Sequence, residues 1–350
     1  MSLDPAVAAC RLGVRRTLAA CDPGATILVA CSGGADSLAL LAAAVFEARA
    51  LGQRIVGVTV DHGLQDSSAE VAAQVVEQMR ALGADETVSV RVTVDAPGIG
   101  PEAAARQARY EVLEQVAASS EAVAVLLGHT LDDQAETVLM GLSRGSGARS
   151  LQGMRRSFDR FARPLLDVTR AQTELACLAD GIQWWVDPHN SDPAYLRSQV
   201  RMEVMPLLET VLGPGVAAAL ARTADQVQTD VAYLDAVAAD VFEQLSGKSD
   251  RRLGGTPSRR LSSERNSRVE TTTLSVEALA ELPPAIRRRV IRLAALAAGA
   301  TDAELFYDHV LSVEALVTDW RGQKRIDLPG RVRARRTGEL LVWESQPAGL

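Results

Sequence analysis

The stretch ILVACSGGADSLALLAAA, residues 27–44, decides how this chain folds. It joins a short apolar run to a run rich in alanine and leucine through two adjacent glycines. A glycine turn between a strand and a helix is the usual setting for a bound phosphate. The P-loop pattern G-x-x-x-x-G-K-[ST] is absent, so no lysine is placed to reach a γ-phosphate. The turn therefore favours a pyrophosphate group.

The surrounding sequence repeats this alternation of an apolar run and a helical segment. Four short apolar runs alternate with segments of helical period: the runs are 27–31, 55–60, 88–94 and 123–127, and the helical segments are 36–50, 67–83, 101–118 and 132–143. This alternation predicts an α/β fold, a doubly wound parallel sheet. Ligands of such sheets bind where the strands lead into helices, so the functional residues are expected directly after the apolar runs.

The second half of the chain reads differently. Helical segments dominate beyond residue 160, and 215–246 is one alanine-rich helical stretch. Residues 247–272 are rich in glycine, serine and arginine, which predicts a flexible basic segment. The tail adds strand-like runs at 324–327 and 339–343. We therefore predict one domain over 1–214 and a smaller, mainly helical domain over 215–350.

The charge of the chain is unevenly distributed. The net charge is -7, yet residues 247–270 carry seven cations against three carboxylates, and residues 321–336 carry seven against one. Such stretches are typical of a solvated surface, and they are also typical of a surface that binds a polyanion. Both interpretations stay open at this point.

Composition also argues against several classes of protein. The four cysteines (10, 21, 31 and 177) form no C-x-x-C pair, so neither a disulfide framework nor a zinc or iron–sulfur site is indicated. The first residues lack the apolar core of a signal peptide, and no run has the length of a membrane span. We expect a cytoplasmic protein without a membrane partner. No protein partner is implied, and monomer or homodimer stays open.

The glycine turn offers several groups to an anion. Its residues are Ser32, Gly33, Gly34, Ala35, Asp36 and Ser37. The hydroxyls, the accessible N–H groups and the start of a helix all favour negative charge. Asp36 would repel an anion, so a functional interpretation requires Mg²⁺ between them. The alternative is that Asp36 caps the helix.

Histidines and carboxylates follow two other predicted strands. Asp61 and His62 come after the second apolar run, and His129, Asp132 and Asp133 come after the fourth. Parallel strands bring their carboxyl ends to one edge of the sheet, so these side chains are expected near the glycine turn. The sequence therefore predicts a metal and phosphate site there.

At this point the motifs resemble a known family. SGGADS is similar to the PP-loop of the ATP pyrophosphatases, which have an adenine-nucleotide α-hydrolase-like sheet and cleave ATP between its α- and β-phosphates. Six further stretches resemble the bacterial tRNA(Ile)-lysidine synthases within that superfamily. They are DHGL (61–64), ARQARY (105–110), GHTLDDQAET (128–137), RGSGARSLQGM (144–154), RPLL (163–166) and DPHNSDPAYLRSQVR (187–201).

The resemblance implies a two-step reaction on an isoleucine tRNA with a CAU anticodon. The C2 oxygen of the wobble cytidine attacks the α-phosphate of ATP and releases pyrophosphate, and the amine of free lysine then displaces AMP. ATP and Mg²⁺ are the implied cofactors. The basic stretches become candidates for contact with tRNA phosphates.

The resemblance also implies roles for individual residues. Catalysis would fall to Asp36, His129, Asp132, Asp133, Arg109 and Arg201, while Ser32, Gly33, Gly34, Ala35, Asp36, Ser37, Asp61 and His62 would hold the nucleotide, with Asp36 on the metal. Arg106, Glu136 and Arg197 would bind substrates. The chain departs from the family pattern at four positions, where histidine, arginine, glycine and asparagine are expected: Thr130, Gln65, Ser150 and Ser198.

Two other functions compete with this one. A tRNA thiolase would share the PP-loop domain, although the missing C-x-x-C pair argues against the cluster-dependent thiolases. A protein that binds ATP and tRNA without catalysis would release no pyrophosphate. Trp184 and Trp185 are interpreted as core residues rather than as platforms for a base.

Overall fold

A computed structural model of the chain describes residues 3–61, 63, 68–92, 101–144, 147–186, 195–252 and 271–346. It divides into two compact units. The first contains Met1–Gly145 and Ser150–Gln226, and the second contains Ser146–Arg149 and Val227–Leu350. The division falls inside a long helix, twelve residues beyond the predicted boundary at 214.

The first unit confirms the predicted alternation of strands and helices. Its strands are β1 (Thr26–Ala30), β2 (Arg54–Asp61), β3 (Glu86–Arg91), β4 (Ala122–Leu126), β5 (Ser157–Phe158) and β6 (Phe161–Ala162). Its helices are α1 (Pro5–Leu18), α2 (Ala35–Leu51), α3 (Ser68–Ala81), α4 (Pro101–Ser119), α5 (Leu131–Arg144), the short α6 (Ala148–Leu151), α7 (Arg170–Ala179), α8 (Leu196–Gln199) and α9 (Met205–Leu212). A π-helical turn, Val200–Val204, joins α8 to α9.

The strand order creates a natural crevice for a ligand. The sheet runs β3-β2-β1-β4-β6-β5, and only the β5–β6 pair is antiparallel. The chain moves outward from β1 to β3 and then returns to β4 on the other side of β1. The loops that follow β1 and β4 therefore flank the point where the winding reverses, which is where open α/β sheets bind their ligands.

Helices cover both faces of this sheet, as a doubly wound fold requires. On one face, Ile27 and Val29 pack against α1, α2 and α7 in one apolar cluster. On the other face, Leu28 and Val56 pack with Leu113 of α4. Because β1 is buried on both faces, its sequence is continuously apolar rather than alternating.

The second unit contains more sheet than the sequence indicated. Helix α10 (Val216–Arg252) reaches into it, and α11 (Val276–Glu281), α12 (Pro284–Ala297) and α13 (Tyr307–Thr318) follow. The strands β7 (Thr271–Ser275), β8 (Ile326–Leu328), β9 (Val332–Thr337) and β10 (Leu340–Ser345) form an antiparallel sheet in the order β7-β10-β9-β8. The unit is thus a helical layer packed on a four-stranded sheet, with Trp343 fully buried between them.

The predicted flexible segment at 247–272 needs correction at both ends. Residues 247–252 continue helix α10, and residues 271–272 belong to β7. The remainder, 253–270, lies outside the described residues.

In the described ranges, no single helix is long and apolar enough to cross a membrane. The segments Leu196–Leu212 and Val216–Ser246 reach the required hydropathy only as a pair, and the pair is bent by 98°.

Candidate functional site

The glycine turn begins the site at the carboxyl end of β1. Gly34 is the N-cap of α2 and Gly33 has φ +86°, so the chain reverses sharply between the strand and the helix. The Ser37 hydroxyl donates to the Gly34 carbonyl (2.9 Å) and accepts from the Ser32 N–H (3.2 Å). These two hydrogen bonds fix the shape of the turn. The N-terminus of α2 faces the crevice and carries a partial positive charge, which favours an anion.

The loop after β4 lies directly against this turn. A Cβ built on Gly128 would lie 3.2 Å from backbone atoms of both Asp36 and Ser37. Only glycine permits this approach without displacing one of the loops. The two loops at the reversal point therefore form one surface, as the predicted topology requires.

Gly33→Ala is expected to weaken both the fold of this turn and ATP binding. Alanine at a left-handed φ costs about 1–2 kcal/mol, and its Cβ would also lie 2.6 Å from Val75 Cγ2. We expect a raised KM for ATP and a lower midpoint in urea unfolding. Gly24→Ala is the control, since Gly24 has φ +77° but open space around it. Equal effects of the two changes would mean that the Val75 contact has no role.

Asp36 lies in the first turn of α2, but it does not cap the helix. Its carboxylate accepts a hydrogen bond from the Thr173 hydroxyl of α7, and its Oδ2 lies 3.7 Å from Nε of Arg170. The capping alternative is therefore wrong. Burial raises the pKa of Asp36 to about 6, although Thr173 and Arg170 act in the opposite direction. A half-buried carboxylate whose charge is only partly balanced by its neighbours is suited to a further cation.

Helix α5 supplies two carboxylates that are surrounded by arginines. Asp133 Oδ1 lies 3.0 Å from Arg170 Nη2, 3.0 Å from Arg197 Nη2 and 3.3 Å from Arg201 Nη2. Glu136, which is 1% exposed, accepts from Arg201 Nε at 2.8 Å and from Arg197 Nε at 2.9 Å. We call these five residues together with Asp36 the ion cluster. It contains three cations and three carboxylates.

The ion cluster keeps Asp133 ionised. Burial alone would raise its pKa, but Arg170, Arg197 and the N–H of Thr130 outweigh burial, so the pKa lies below its usual value. The Thr130 hydroxyl also donates to Asp133 Oδ2 at 3.0 Å. Threonine thus fills the position where the family pattern places histidine, and it supplies a short-range donor to the same carboxylate.

The predicted ligand-binding and catalytic residues of this cluster contact each other. Arg197 and Glu136 were predicted to bind substrates, and Arg201 and Asp133 were predicted to take part in catalysis. In the structure these four side chains bind each other. Arg201 belongs to the π-helical turn, a distortion that often occurs at functional sites because it redirects side chains.

Arg170 contacts every acidic residue of this region. Its side chain reaches Asp36, Asp133 and Glu136, and its backbone N–H donates to Asp132 Oδ2 at 2.7 Å. The remaining oxygen of Asp132, Oδ1, receives no hydrogen bond from the described residues. Asp132 therefore keeps an acceptor for a ligand.

His129 lies beside the ion cluster in a separate network. Its Nδ1 is 3.3 Å from Nε of Arg163, whose Nη2 donates to the Tyr110 hydroxyl (3.1 Å). Arg106 donates to the same hydroxyl at 3.3 Å. Burial lowers the pKa of His129 to about 3, so the imidazole is neutral at physiological pH.

Other predicted residues lie apart from this centre. Arg109 is exposed on α4, and the structure gives it no hydrogen bond or ion pair with any residue that it describes. Asp61 ends β2, where it accepts from the Gly63 N–H (2.9 Å) and lies 3.4 Å from Arg91. The proposed role of His62 concerns a position outside the described residues.

The tryptophan pair is consistent with a packing role. Trp184 is half-buried against the apolar cluster of the first unit. The N–H of Trp185 donates to the Gly33 carbonyl at 2.9 Å and so supports the glycine turn from outside.

Sequence reasoning missed Arg170, Thr173 and Arg163 as members of the site. Arg163 opens the RPLL stretch, so it was within reach of the motif. Arg170 and Thr173 carried no such signal. They reach the site because α7 packs against α1 and α2, a contact between distant parts of the chain.

The site was tested for its fit to Mg²⁺. Among the described residues, no group of three or more histidine, cysteine, aspartate or glutamate side chains could hold a metal by itself. Mg²⁺ commonly takes one or two carboxylates and completes its shell with substrate phosphates and water. A single half-buried carboxylate at Asp36, next to an anion-binding turn, fits that mode.

Comparisons with known proteins cover both units. A family model described as the PP-loop domain matches residues 13–208, and one described as the TilS substrate binding domain matches residues 274–341. The chain is 50% identical to a tRNA(Ile)-lysidine synthase of Thermobifida fusca over 97% of this chain and 98% of that protein. It is 46% identical to the tRNA(Ile)-lysidine synthase of Salinispora arenicola over 99% of each.

A solved structure supports the fold of the first unit. The U34-tRNA thiolase NcsA from Methanococcus maripaludis, with its [4Fe-4S] cluster, matches 63% of this chain and 79% of its own with a TM-score of 0.54. The two sequences are 19% identical, so the likeness concerns the fold alone. The four cysteines of this chain are free thiols, and three of them are buried.

Proposed function

The chain belongs to the tRNA(Ile)-lysidine synthase family and catalyses ATP-dependent formation of lysidine on tRNA(Ile), and from this premise we propose how its residues divide the work. The observation that carries the proposal is the junction of the glycine turn with the ion cluster. Asp36 belongs to both: it lies in the glycine turn, it accepts a hydrogen bond from Thr173, and it lies near Arg170 of the cluster. The anion-binding glycine turn and the carboxylates of the ion cluster thus lie side by side. Two successive reactions on one substrate require such neighbouring sites.

We assign the adenylation step to the glycine turn. The leaving pyrophosphate concentrates negative charge, and the start of α2 offers N–H groups and a favourable partial charge to it. Ser32 begins the turn, and its hydroxyl oxygen lies 3.4 Å from that of Ser37. Rotation of the two side chains would direct both hydroxyls toward a phosphate.

We propose that Asp36 holds Mg²⁺ together with the phosphates of ATP. The ion would supply neutralisation of the pyrophosphate charge. The contribution of the protein is a carboxylate whose position is fixed by Thr173 and whose charge is only partly matched by Arg170. Binding of Mg²⁺ in addition to Arg170 therefore offsets the free-energy cost of burying the charged Asp36 carboxylate, which the protein without Mg²⁺ carries.

We propose that the ammonium of free lysine enters at Asp132. Its Oδ1 receives no hydrogen bond from the described residues, while Asp133 and Glu136 are paired with arginines. If an arginine turns toward a bound phosphate, Asp133 or Glu136 becomes available to the same ammonium. The lysine must then lose a proton before its amine can attack, since an unperturbed ammonium has a pKa near 10.4.

We propose that the basic stretch 321–336 contacts tRNA phosphates. All of it lies within the match to the TilS substrate binding domain, residues 274–341. Part of its charge is balanced internally, because Arg325 and Arg333 both lie near Asp327, and Arg335 pairs with Glu344. We therefore expect fewer phosphate contacts than its seven cations suggest.

The proposed function predicts the fate of labelled lysine. With ATP, Mg²⁺, radiolabelled lysine and an unmodified isoleucine tRNA bearing CAU, label is expected in that tRNA and none in methionine tRNA. Release of pyrophosphate without transfer of label would show that the nucleophile is wrong. Absence of both, with folded protein and intact tRNA, would refute the catalytic assignment.

A further inference from the structure

Arg163 is held at an unusual position for a cation. It is 6% exposed, and its guanidinium lies over the ring of Phe158, 4.7 Å from the centroid. Its Nη1 donates to the Arg155 carbonyl at 2.6 Å and its Nη2 to the Tyr110 hydroxyl at 3.1 Å. The ring of Tyr110 in turn packs edge-on against Phe161, with centroids 5.0 Å apart. These contacts fix the plane and the direction of the guanidinium.

The Nε–H of this guanidinium points at His129. Nε of Arg163 lies 3.3 Å from Nδ1 of the imidazole. Arginine has donors only and does not lose its proton in proteins, so Nδ1 must present a lone pair to it. A neutral imidazole with a lone pair on Nδ1 carries its proton on Nε2. The neutral form is also favoured by burial, which lowers the pKa of His129.

We infer that Arg163 is a positioning residue that holds His129 in the Nε2–H form, so that His129 acts in the reaction as a hydrogen-bond donor and not as the base that takes a proton from lysine. The inference rests on the proposed function, because it concerns the same site. The acceptor would be an anionic oxygen of a bound phosphate, since the loop that carries His129 adjoins the glycine turn through Gly128. The proton of the lysine ammonium then goes to a carboxylate or to water.

The first test reads the tautomer directly in the protein without substrates. Protein labelled with ¹⁵N in its four histidines is studied by long-range ¹H–¹⁵N NMR, and the signals of His129 are assigned by their loss in His129→Asn. We expect a pyridine-like Nδ1 and a pyrrole-like, protonated Nε2. A protonated Nδ1 would overturn the inference whatever the fate of the lysidine assay.

The second test changes the neighbours of His129. Arg163→Met removes the donor while keeping an apolar stem, and a mixture of both tautomers is expected. Tyr110→Phe is the matched control, because it removes one partner of Arg163 and leaves the contact with His129, so the Nε2–H form should persist. If folded Arg163→Met contains only the Nε2–H tautomer of His129, Arg163 does not set the tautomer. If that variant fails to fold, loss of the Nε2–H form in Tyr110→Phe would count against the inference.

The third test separates a donor from a base by activity. Glutamine has an N–H donor near the position of Nε2–H, whereas leucine has none and neither can act as a base. His129→Gln is therefore expected to keep at least about 10-fold more activity than His129→Leu, consistent with one hydrogen bond to a charged group. Equal losses in the two variants would support the base and refute the donor.

Discussion

Asp36→Asn is expected to slow catalysis by about 10²–10³-fold and at the same time to stabilise the folded protein at pH 8. Loss of the carboxylate removes the proposed Mg²⁺ ligand, and removal of a group that stabilises transition-state charge typically costs about 10²–10³-fold in rate. The Thr173 hydroxyl keeps an acceptor in the amide oxygen, so the local hydrogen bond survives. Activity is measured as pyrophosphate release with tRNA and ATP.

The gain in stability has a defined pH dependence. Burial raises the pKa of Asp36 from 3.8 to about 6, so the folded state binds this proton more tightly than the unfolded state. The stabilising contribution of this protonation is complete below about pH 4 and is lost as the pH rises through 6. Above pH 7, the free energy of unfolding of the variant should therefore exceed that of the wild type by at most about 3 kcal/mol. The difference should vanish below pH 4. A stability gap that stays constant with pH would contradict this account of Asp36.

Glu136→Gln is expected to produce the largest loss of stability in the first unit. The substitution preserves shape but leaves three arginines with one carboxylate fewer, and breaking a buried ion pair costs about 3–5 kcal/mol. The carboxylate is 2% exposed, so solvent does little to screen the effect. The measurement is the midpoint of the first urea transition, since a chain of two units need not unfold in one step.

Two controls make this result specific. Glu77→Gln removes an ion pair with Arg80 on exposed α3, and it should change stability by less than about 0.5 kcal/mol. Adding Arg201→Gln to Glu136→Gln should recover part of the loss, because the excess cation is removed as well. A double variant that is less stable by the full sum of the two losses would show that the residues act independently.

Much of the first unit followed from the sequence because its strands are short apolar runs with helical segments between them. Helix α1 was missed, although its buried residues Val7, Cys10, Val14 and Leu18 recur at helical spacing. The β5–β6 hairpin has strands of two residues, too short to show a period. Strand β9 does alternate, with Val332 and Ala334 buried, but its arginines made the segment read as a charged stretch.

The sequence predicted the residues of the site better than the contacts between them. Asp36, His129, Asp133, Glu136 and Arg201 do lie at the edge of the sheet where β1 and β4 end, since the topology brings these loops together. Which charges pair could not be predicted, because the pairing depends on α7 and on the π-helical turn, both distant in sequence from α5. Arg170 illustrates the point: no motif marks it, yet it contacts all four acidic residues.

The ion cluster also has an evolutionary consequence. Apart from Asp36, the members of the cluster share so many contacts that replacing one of them leaves an unpaired charge in a poorly solvated place. Single substitutions at these positions therefore pass through a destabilised intermediate, whereas paired substitutions of opposite charge do not. We expect members of the cluster to be inherited together across lineages and to change, where they change at all, in compensating pairs.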